Sequence, residues 1–249
     1  MKLAIAGAGG RMGRVLVDAV LADQELELVC AVDIAAAGQQ AGNLKIAADA
    51  AAVAKADVVL DFTRPEGTLA LLKHARAMVI GTTGFTEEDK GVIAEAAKRI
   101  PIVLAANFAV GVNAVYKLAE TAARILGDAY DVEIVEAHHR HKVDAPSGTA
   151  LHLGQVVAKS LGRDLEKNAV FGRKGDLSER KPAQIGFHSI RGGDIVGEHS
   201  VIFAGSGERV EVTVRSQSRA TYAAGALRAA KWLQGRPAGL YGMADVLSL

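Results

Sequence analysis

The amino-acid sequence predicts an α/β protein that combines a doubly wound parallel sheet with an α+β part containing a mixed or antiparallel sheet. Up to about Asn107, short apolar runs alternate with stretches of helical length, which is the order of a doubly wound sheet. Beyond that residue, a long amphipathic helix is followed by strands in which polar and apolar residues alternate. The length of 249 residues suits one large domain or two modest ones.

The apolar runs of the first part are predicted as parallel strands because each is too short for a helix, rich in Val and Ile, and apolar on both faces. They are residues 3–6, 26–32, 57–61, 78–80 and 101–105. The stretches between them that have helical length and polarity are residues 11–21, 65–77 and 87–99. The third of these helices begins after Thr86, and Asp89 stands three residues on, which is a capping pattern. The Ala-rich residues 34–56 predict no clear element.

The second part begins with a helix predicted over residues 112–126, where apolar residues recur at spacings of three and four up to Gly127. The predicted strands that follow are residues 131–136, 184–190, 199–203 and 209–215. Residues 163–182 are rich in charges and glycine and are interpreted as a long loop. A last helix is predicted over residues 220–232, and the pattern alone assigns it to neither part.

Composition and charge exclude several classes of protein. With 29 Lys and Arg against 28 Asp and Glu, and no dense basic block, a nucleic-acid partner is not expected. No apolar run reaches the roughly 18 residues of a membrane span, and the start of the sequence lacks a signal-peptide pattern, so neither a membrane partner nor export is expected. The single cysteine, Cys30, cannot form a disulfide within the chain, which suits the reducing cytoplasm.

A glycine-rich turn directly follows the first predicted strand. Gly7, Gly10 and Gly13 have the spacing G-x-x-G-x-x-G, whereas Met12 breaks the strict G-x-G-x-x-G pattern. Such a turn lets backbone N–H groups and a helix start approach a pyrophosphate. Asp33 ends the second predicted strand, where a carboxylate can accept both ribose hydroxyls of an adenosine. Although an ordinary turn remains the alternative, together these residues predict a Rossmann-type dinucleotide site.

The residue after Asp33 predicts the cofactor preference. Ile34 offers no positive charge to a 2′-phosphate, so we expect NADH to be bound better than NADPH. Two more turns, residues 81–84 and 105–108, follow strands whose carboxyl ends face the same crevice. Their small residues would let a nicotinamide ring and its ribose lie close to the backbone, although either turn alone could be a simple loop.

Residues 136–150 hold the densest group of cationic and switchable side chains, placed just before a helix start marked by Pro146 and Ser147. The pattern suits an anion, because N–H groups at Gly148 and Thr149 can hold a carboxylate while Lys142 adds a positive charge. Histidine can also donate or accept a proton near neutral pH. This segment therefore predicts an acid–base site for an anionic substrate.

The same segment is open to other interpretations. A metal site could use His138, His139 and His141, but no H-E-x-x-H pattern or Cys partner is present, and no metal is expected. Ser147 lacks the G-x-S-x-G pattern of a nucleophile, so we expect it to cap the following helix. A solvated basic loop without function stays open.

Residues 136–150 resemble the signature of the 4-hydroxy-tetrahydrodipicolinate reductase (dihydrodipicolinate reductase) family of bacterial lysine and diaminopimelate synthesis. Residues 6–13, 81–84, 105–113 and 191–199 are similar too, in the family's order, so the resemblance covers essentially the whole chain. It implies hydride transfer from NAD(P)H to a small cyclic dicarboxylate, with loss of water to give tetrahydrodipicolinate. The alternatives are another NAD-dependent amino-acid or semialdehyde dehydrogenase, or a non-catalytic dinucleotide sensor.

The resemblance also implies roles for individual residues. By matched position, His138 corresponds to the acid/base residue and Lys142 to the proton donor. The residues matched to substrate-carboxylate binding are His139, Gly148 and Thr149. Those matched to the adenosine end of the cofactor are Gly7, Ala8, Gly9, Gly10, Arg11, Met12 and Asp33. Those matched to the nicotinamide end are Gly81, Thr82, Thr83, Ala105, Ala106, Asn107 and Phe108.

The domain organisation implied by the resemblance is discontinuous. Residues 1–109 and 219–249 would form the dinucleotide-binding domain, and residues 110–218 would bind substrate and form a homotetramer. The family commonly has a basic residue after the position of Asp33, so Ile34 is a departure that argues against dual cofactor use. Residues 34–56 are also shorter than is usual in the family.

Overall fold

A computed structural model describes residues 1–175 and 178–249 as two compact units. The first unit comprises Met1–Val110 and Arg219–Leu249, and the second comprises Gly111–Ser218. The strands are β1 (Lys2–Ala6), β2 (Glu27–Val32), β3 (Gln40–Ala41), β4 (Leu44–Lys45), β5 (Val58–Asp61), β6 (Met78–Ile80), β7 (Pro101–Leu104), β8 (Asp131–His138), β9 (Ala169–Phe171), β10 (Ile185–Arg191), β11 (Gly197–Ala204), β12 (Arg209–Ser216) and β13 (Gly239–Tyr241). The α-helices are α1 (Arg11–Leu21), α2 (Pro65–Leu71), α3 (Glu87–Ala97), α4 (Val110–Leu126), α5 (Gly148–Ser160), α6 (Leu165–Asn168), α7 (Ala220–Leu233) and α8 (Met243–Leu247).

The first unit is built on a parallel sheet of six strands in the order β13-β7-β6-β5-β1-β2. Strand β1 lies between β2 and β5, so the chain reverses its direction across the sheet at β1. The carboxyl end of β1 is therefore the topological switch point, which is where open sheets of this kind bind ligands. The prediction of a doubly wound sheet is confirmed.

Two apolar cores hold this sheet, one on each face, because successive side chains of a strand point to opposite sides. Leu3 and Ile5 of β1 pack with apolar residues of α1 and α7. Ala4 and Ala6 of the same strand pack on the other face, with residues of α2 and α3. This double burial explains the continuous apolar runs in the sequence, and it fixes the strand ends that carry the predicted cofactor residues.

The second unit contains a five-stranded mixed sheet in the order β12-β11-β8-β10-β9. Strands β8, β9 and β10 are parallel to one another, whereas β11 is antiparallel to both β8 and β12. Apolar residues of α4 and α5, including Ala119 and Leu153, pack on one face against Val132 and Ile134 of β8. The predicted α+β part is confirmed, with a sheet of the mixed type.

The structure corrects the sequence-based elements at several places. Residues 34–56 form the β3–β4 hairpin and a short 3₁₀ helix, Ala50–Lys55, whose N-cap Asp49 accepts the Ala51 N–H at 2.9 Å. The helix predicted over residues 65–77 already ends at Leu71. The prediction of one long loop over residues 163–182 was wrong, because α6 and β9 form there. Residues 176–177 of that predicted loop lie outside the described residues.

None of the helices in the described ranges combines the length and apolar character needed to cross a membrane.

Candidate active site

The glycine turn after β1 is shaped by backbone contacts that leave no room for side chains. Gly7 has a positive φ of 78°, and its N–H donates to the carbonyl oxygen of Val32 at 2.8 Å. A Cβ on Gly7 would lie 2.6 Å from the carbonyl oxygen of Phe62, and one on Gly13 would lie 2.0 Å from that of Gly7. Within the described residues, no side chain caps the start of α1 at Gly10. The first turn of α1 therefore offers its N–H groups beside a turn with bare backbone, as pyrophosphate binding requires.

Asp33, at the end of β2, is tied to this turn. Its Oδ2 accepts the Gly9 N–H at 3.0 Å, and its Oδ1 accepts the N–H groups of Ala35 at 2.9 Å and Ala36 at 3.2 Å. These bonds hold the carboxylate in one position, and each oxygen keeps acceptor capacity for a hydroxyl. Ile34 is 82% exposed and brings no charge to that position.

Three neighbouring strand ends meet around the ring of Phe62, which follows β5. A Cβ on Gly81 would lie 2.2 Å from that ring, and the Phe62 and Phe108 ring centroids are 5.8 Å apart. The Ala105 N–H donates to the carbonyl oxygen of Ile80 at 3.1 Å, which joins the ends of β6 and β7. The predicted nicotinamide-end residues therefore lie together, but Phe108 is 1% exposed and its carbonyl oxygen packs against Gly225 of α7.

A buried carboxyl, Asp61, fixes the same edge of the sheet. It accepts hydrogen bonds from the hydroxyls of Thr63 at 2.6 Å, of Thr82 at 3.2 Å, and of Thr68. Burial raises the pKa of Asp61 above the usual range of an aspartate, although the donors oppose this effect. The Thr82 hydroxyl is thus committed within the protein, and Thr82 is 4% exposed.

In the second unit, the end of β8 carries a charged network around Glu136, which is 1% exposed. The Glu136 carboxylate accepts two hydrogen bonds from Arg191 at 2.7 and 2.8 Å, and one from the Ser147 N–H at 3.2 Å. His138 Nδ1 lies 2.6 Å from Glu136 Oε2. The sheet register explains this assembly, because Arg191 of β10 lies opposite His138 of β8, and His199 of β11 lies opposite Glu136.

Electrostatics define the protonation of this network. Burial alone would raise the pKa of Glu136, but hydrogen bonds, first among them those from Arg191, outweigh it and hold that pKa at about 2. For His138, burial lowers the pKa more than the Glu136 carboxylate raises it. An ionised carboxylate can only accept hydrogen bonds, so Nδ1 of the neutral His138 carries the hydrogen. The Nε2 atom of His138 is then the nitrogen that can accept a proton.

A second buried histidine, His199, supports the start of α5. Its Nε2 lies 2.9 Å from the Ser147 hydroxyl, and its ring packs edge-on against His138 with centroids 5.1 Å apart. Burial lowers the pKa of His199 to about 4, so its ring is neutral at neutral pH. The Ser147 hydroxyl accepts the Ala150 N–H at 3.2 Å, which makes Ser147 the N-cap that the sequence predicted.

Ser147→Ala is expected to lower the free energy of unfolding by about 1–2 kcal/mol, because it removes this N-cap and leaves buried His199 without its hydroxyl partner. Urea unfolding followed by circular dichroism measures the change. Ser160→Ala is the matched control, because Ser160 lies at the other end of α5 and its hydroxyl donates only to the Val156 carbonyl oxygen, at 2.8 Å. Equal midpoints for the two variants would contradict the capping role.

The remaining predicted residues of the second unit follow in the turn before α5. Lys142 Nζ lies 2.8 Å from the Asp144 carboxylate, and the Lys142 side chain is 20% exposed. His139 Nδ1 is buried and, among the residues described, has no hydrogen-bond partner. A buried polar atom without a partner is costly, so a ligand oxygen is the natural partner for His139. Gly148 and Thr149 form the first turn of α5.

The structure therefore groups the predicted site residues into two sets, one in each unit. Sequence reasoning missed Glu136, Arg191 and His199 as members of the second set. One signal in the sequence could have identified Glu136. Glu136 lies two and four residues after Ile134 and Val132, so it points to the same buried face of β8, where a charged side chain is unusual. The described residues contain no group of three or more His, Cys, Asp or Glu placed to share a metal ion.

Comparisons with known proteins cover both units. A family model described as dihydrodipicolinate reductase, N-terminus, matches residues 1–108, and one described as dihydrodipicolinate reductase, C-terminus, matches residues 111–247. The 4-hydroxy-tetrahydrodipicolinate reductases of Aromatoleum aromaticum and Burkholderia ambifaria are 58% and 56% identical to this chain. Both alignments cover 100% of this chain, and they cover 96% and 100% of the two relatives.

Solved structures agree with this result. The dipicolinate-bound dihydrodipicolinate reductase from Paenisporosarcina sp. TG-14 has a TM-score of 0.78 at 26% identity, over 98% of each chain. The C. glutamicum DAP dehydrogenase in complex with DAP has a TM-score of 0.57 at 12% identity, over 98% of this chain and 93% of its own, and so shares the fold alone.

Proposed function

The chain belongs to the dihydrodipicolinate reductase family, and from that premise we propose that it is an NAD(P)H-dependent 4-hydroxy-tetrahydrodipicolinate reductase of lysine and diaminopimelate synthesis. The observation that carries this proposal is the acid–base network at the end of β8. There, a neutral His138 held by Glu136 is followed by His139 and Lys142 and then by the start of α5. A cyclic substrate with two carboxylates matches these donors and positive charges.

The first unit is proposed to bind the dinucleotide, and the proposed dinucleotide-binding domain consists of residues 1–109 and 219–249. The bare glycine turn and the uncapped start of α1 fit a pyrophosphate, since a Cβ at Gly7 or Gly13 would strike backbone. Asp33, held by the Gly9 N–H, would accept the ribose hydroxyls of the adenosine. The backbone at residues 81–83 and 105–108 would border the nicotinamide end.

The second unit is proposed to bind the substrate, and the proposed substrate-binding domain consists of residues 110–218. One substrate carboxylate would take hydrogen bonds from the first turn of α5 at Gly148 and Thr149, and from His139, whose Nδ1 has no partner among the described residues. Lys142 adds a positive charge close enough to lower the pKa of His138. The helix start and these side chains orient the ring for reduction.

The proposed reaction consumes one hydride and one proton and releases one water. Bound NAD(P)H supplies the hydride to the ring carbon that loses the 4-hydroxyl group. Lys142, an ammonium group with three donors, gives the proton that leaves with the hydroxyl as water. His138 accepts hydrogen bonds or a proton at Nε2, because Glu136 fixes the hydrogen on Nδ1.

The decisive experiment follows NADH absorbance while the cyclic substrate is generated in place from pyruvate and aspartate semialdehyde. We expect NADH oxidation that requires both precursors. NADH oxidation that instead requires aspartate semialdehyde alone would identify another dehydrogenase of this fold. NADH binding without turnover on any of these compounds would identify a dinucleotide sensor.

NADH is proposed as the preferred cofactor, because Ile34 gives no cation to a 2′-phosphate and the Asp33 carboxylate would repel it. We expect a higher kcat/KM with NADH than with NADPH. Ile34→Arg should raise kcat/KM for NADPH at least about tenfold, since a charged hydrogen bond contributes about 1.5–3 kcal/mol. Ile125→Arg adds the same charge at a residue of α4 that is 77% exposed. An NADPH preference in the unaltered protein, or an equal gain from Ile125→Arg, would refute the role of Ile34.

The oligomeric state and compartment complete the proposal. A homotetramer assembled through the second unit is supported by the family resemblance, and a cytoplasmic location by the reduced, buried Cys30. Ile190 of β10 is 52% exposed on the sheet face opposite Phe187.

A further inference from the structure

Glu136 differs from the other carboxylates that the structure describes in the second unit, because a histidine of the proposed site lies within its hydrogen-bond network. Its Oε2 meets His138 Nδ1 at 2.6 Å and Arg191 at 2.8 Å, while its Oε1 meets Arg191 at 2.7 Å and the Ser147 N–H at 3.2 Å. Both oxygens are therefore fully used by donors. A carboxylate held in this way has one orientation, and so does the imidazole bonded to it.

The partner that anchors Glu136 is itself fixed. Besides its two bonds to Glu136, Arg191 donates to the backbone oxygens of Asp144 and Ile190, each at 2.7 Å. Asp144 also holds Lys142 through its carboxylate. The network thus joins three parts of the proposed site: the end of β8, the turn with Lys142, and the start of α5.

We propose that Glu136 is a positioning residue of the reductase: it fixes His138 as the tautomer with hydrogen on Nδ1 and thereby makes Nε2 the only ring nitrogen that can accept a proton. This inference rests on the proposed function. Without an ionised partner at Nδ1, the hydrogen could move to Nε2. The Nε2 atom would then have no lone pair with which to accept a proton in the reaction. Arg191 keeps Glu136 ionised and in place.

The same strand offers a matched control. Glu133 also accepts two bonds from Arg173 at 2.8 and 2.9 Å, one from Arg180 at 2.9 Å, and lies 2.8 Å from His188 Nε2. Its pKa is also held at about 2, by hydrogen bonds that outweigh the effect of burial. Glu133 and Glu136 are three residues apart along β8 and so point to opposite faces of the sheet. Of these two carboxylates, Glu136 is the one that contacts His138.

The experiment compares Glu136→Gln with Glu133→Gln in the full chain. Glu136→Gln should lower kcat about 10–100-fold with little change in the KM for substrate, because the amide can still accept from the Ser147 N–H. Loss of the carboxylate also removes the influence that raises the pKa of His138, so the acid limb of the kcat profile should move to lower pH. Glu133→Gln should change neither kcat nor the profile.

A nitrogen NMR measurement reads the tautomer directly. In the unaltered protein, His138 should carry its hydrogen on Nδ1, whereas in Glu136→Gln the amide can donate to Nδ1 and shift the hydrogen to Nε2. Hydrogen on Nε2 in the unaltered protein would overturn the proposal, and that result needs no variant to fold. Equal kcat and pH profiles for the two variants would overturn it as well. If the unaltered protein fails to reduce the cyclic substrate, the proposed function fails while the tautomer result still stands.

Discussion

Lys142→Ala is expected to lower kcat by about 10²- to 10⁴-fold while leaving the Kd for NADH unchanged. The reduction needs a proton for the departing hydroxyl. Lys142 is the lysine of residues 136–150, and its ammonium group is the proposed donor of this proton. The Lys142 side chain is 20% exposed and fixed by Asp144 at 2.8 Å. The glycine turn proposed to hold NADH belongs to the other unit, so its binding should not depend on this side chain.

Steady-state kinetics and an NADH titration separate the two effects. Lys142→Arg is the informative companion, because arginine keeps the positive charge for the carboxylates but does not release a proton. We expect Lys142→Arg to keep the KM for substrate close to that of the unaltered protein and to leave kcat low. Lys159→Ala removes an exposed lysine of α5 and should behave as the unaltered protein does. Equal losses of kcat and NADH affinity in Lys142→Ala would show that Lys142 acts elsewhere than at the proton transfer.

The parallel sheet could be predicted from the sequence because burial on both faces leaves short, continuous apolar runs. Strand β6 is an example: its three residues, Met78–Ile80, are all fully buried. Strand β13 could not be predicted in this way. Gly239–Tyr241 is partly exposed at the edge of the sheet, and it is a strand only because it pairs with residues 101–103 of β7.

The candidate site could be predicted where its residues are close in sequence, as in residues 136–150. The partners of Glu136 could not, because they arrive through the pairing of distant strands. Arg191 comes from β10 and His199 from β11, and their positions beside Glu136 depend on the register of both strands against β8. Local patterns give the face of each strand but not its neighbours. The bond between Asp61 and Thr82 could not be predicted for the same reason, because Thr82 follows β6 and reaches Asp61 through the pairing of β6 with β5.

Gly13→Ala is expected to have the largest effect on the first unit, lowering the free energy of unfolding by about 3 kcal/mol and weakening NADH binding about tenfold or more. A Cβ at Gly13 would lie 2.0 Å from the carbonyl oxygen of Gly7 and 2.7 Å from the Cα of Ala8. Both neighbours are backbone atoms of the glycine turn, so α1 and the turn would have to move apart. That movement would displace the N–H groups proposed to hold the pyrophosphate.

Helix propensity alone predicts the opposite sign, because alanine in a helix interior is favoured over glycine by about 1 kcal/mol. Gly91→Ala in α3 isolates this effect, since nothing lies within 4 Å of a Cβ built at Gly91. Gly91→Ala should therefore stabilise the protein slightly and leave the Kd for NADH unchanged. Fluorescence of Trp232, the only tryptophan and a residue of α7 in the first unit, reports the urea midpoint for both variants. If Gly13→Ala matched Gly91→Ala in midpoint and in Kd, the close approach of α1 to the turn would not be what holds the cofactor.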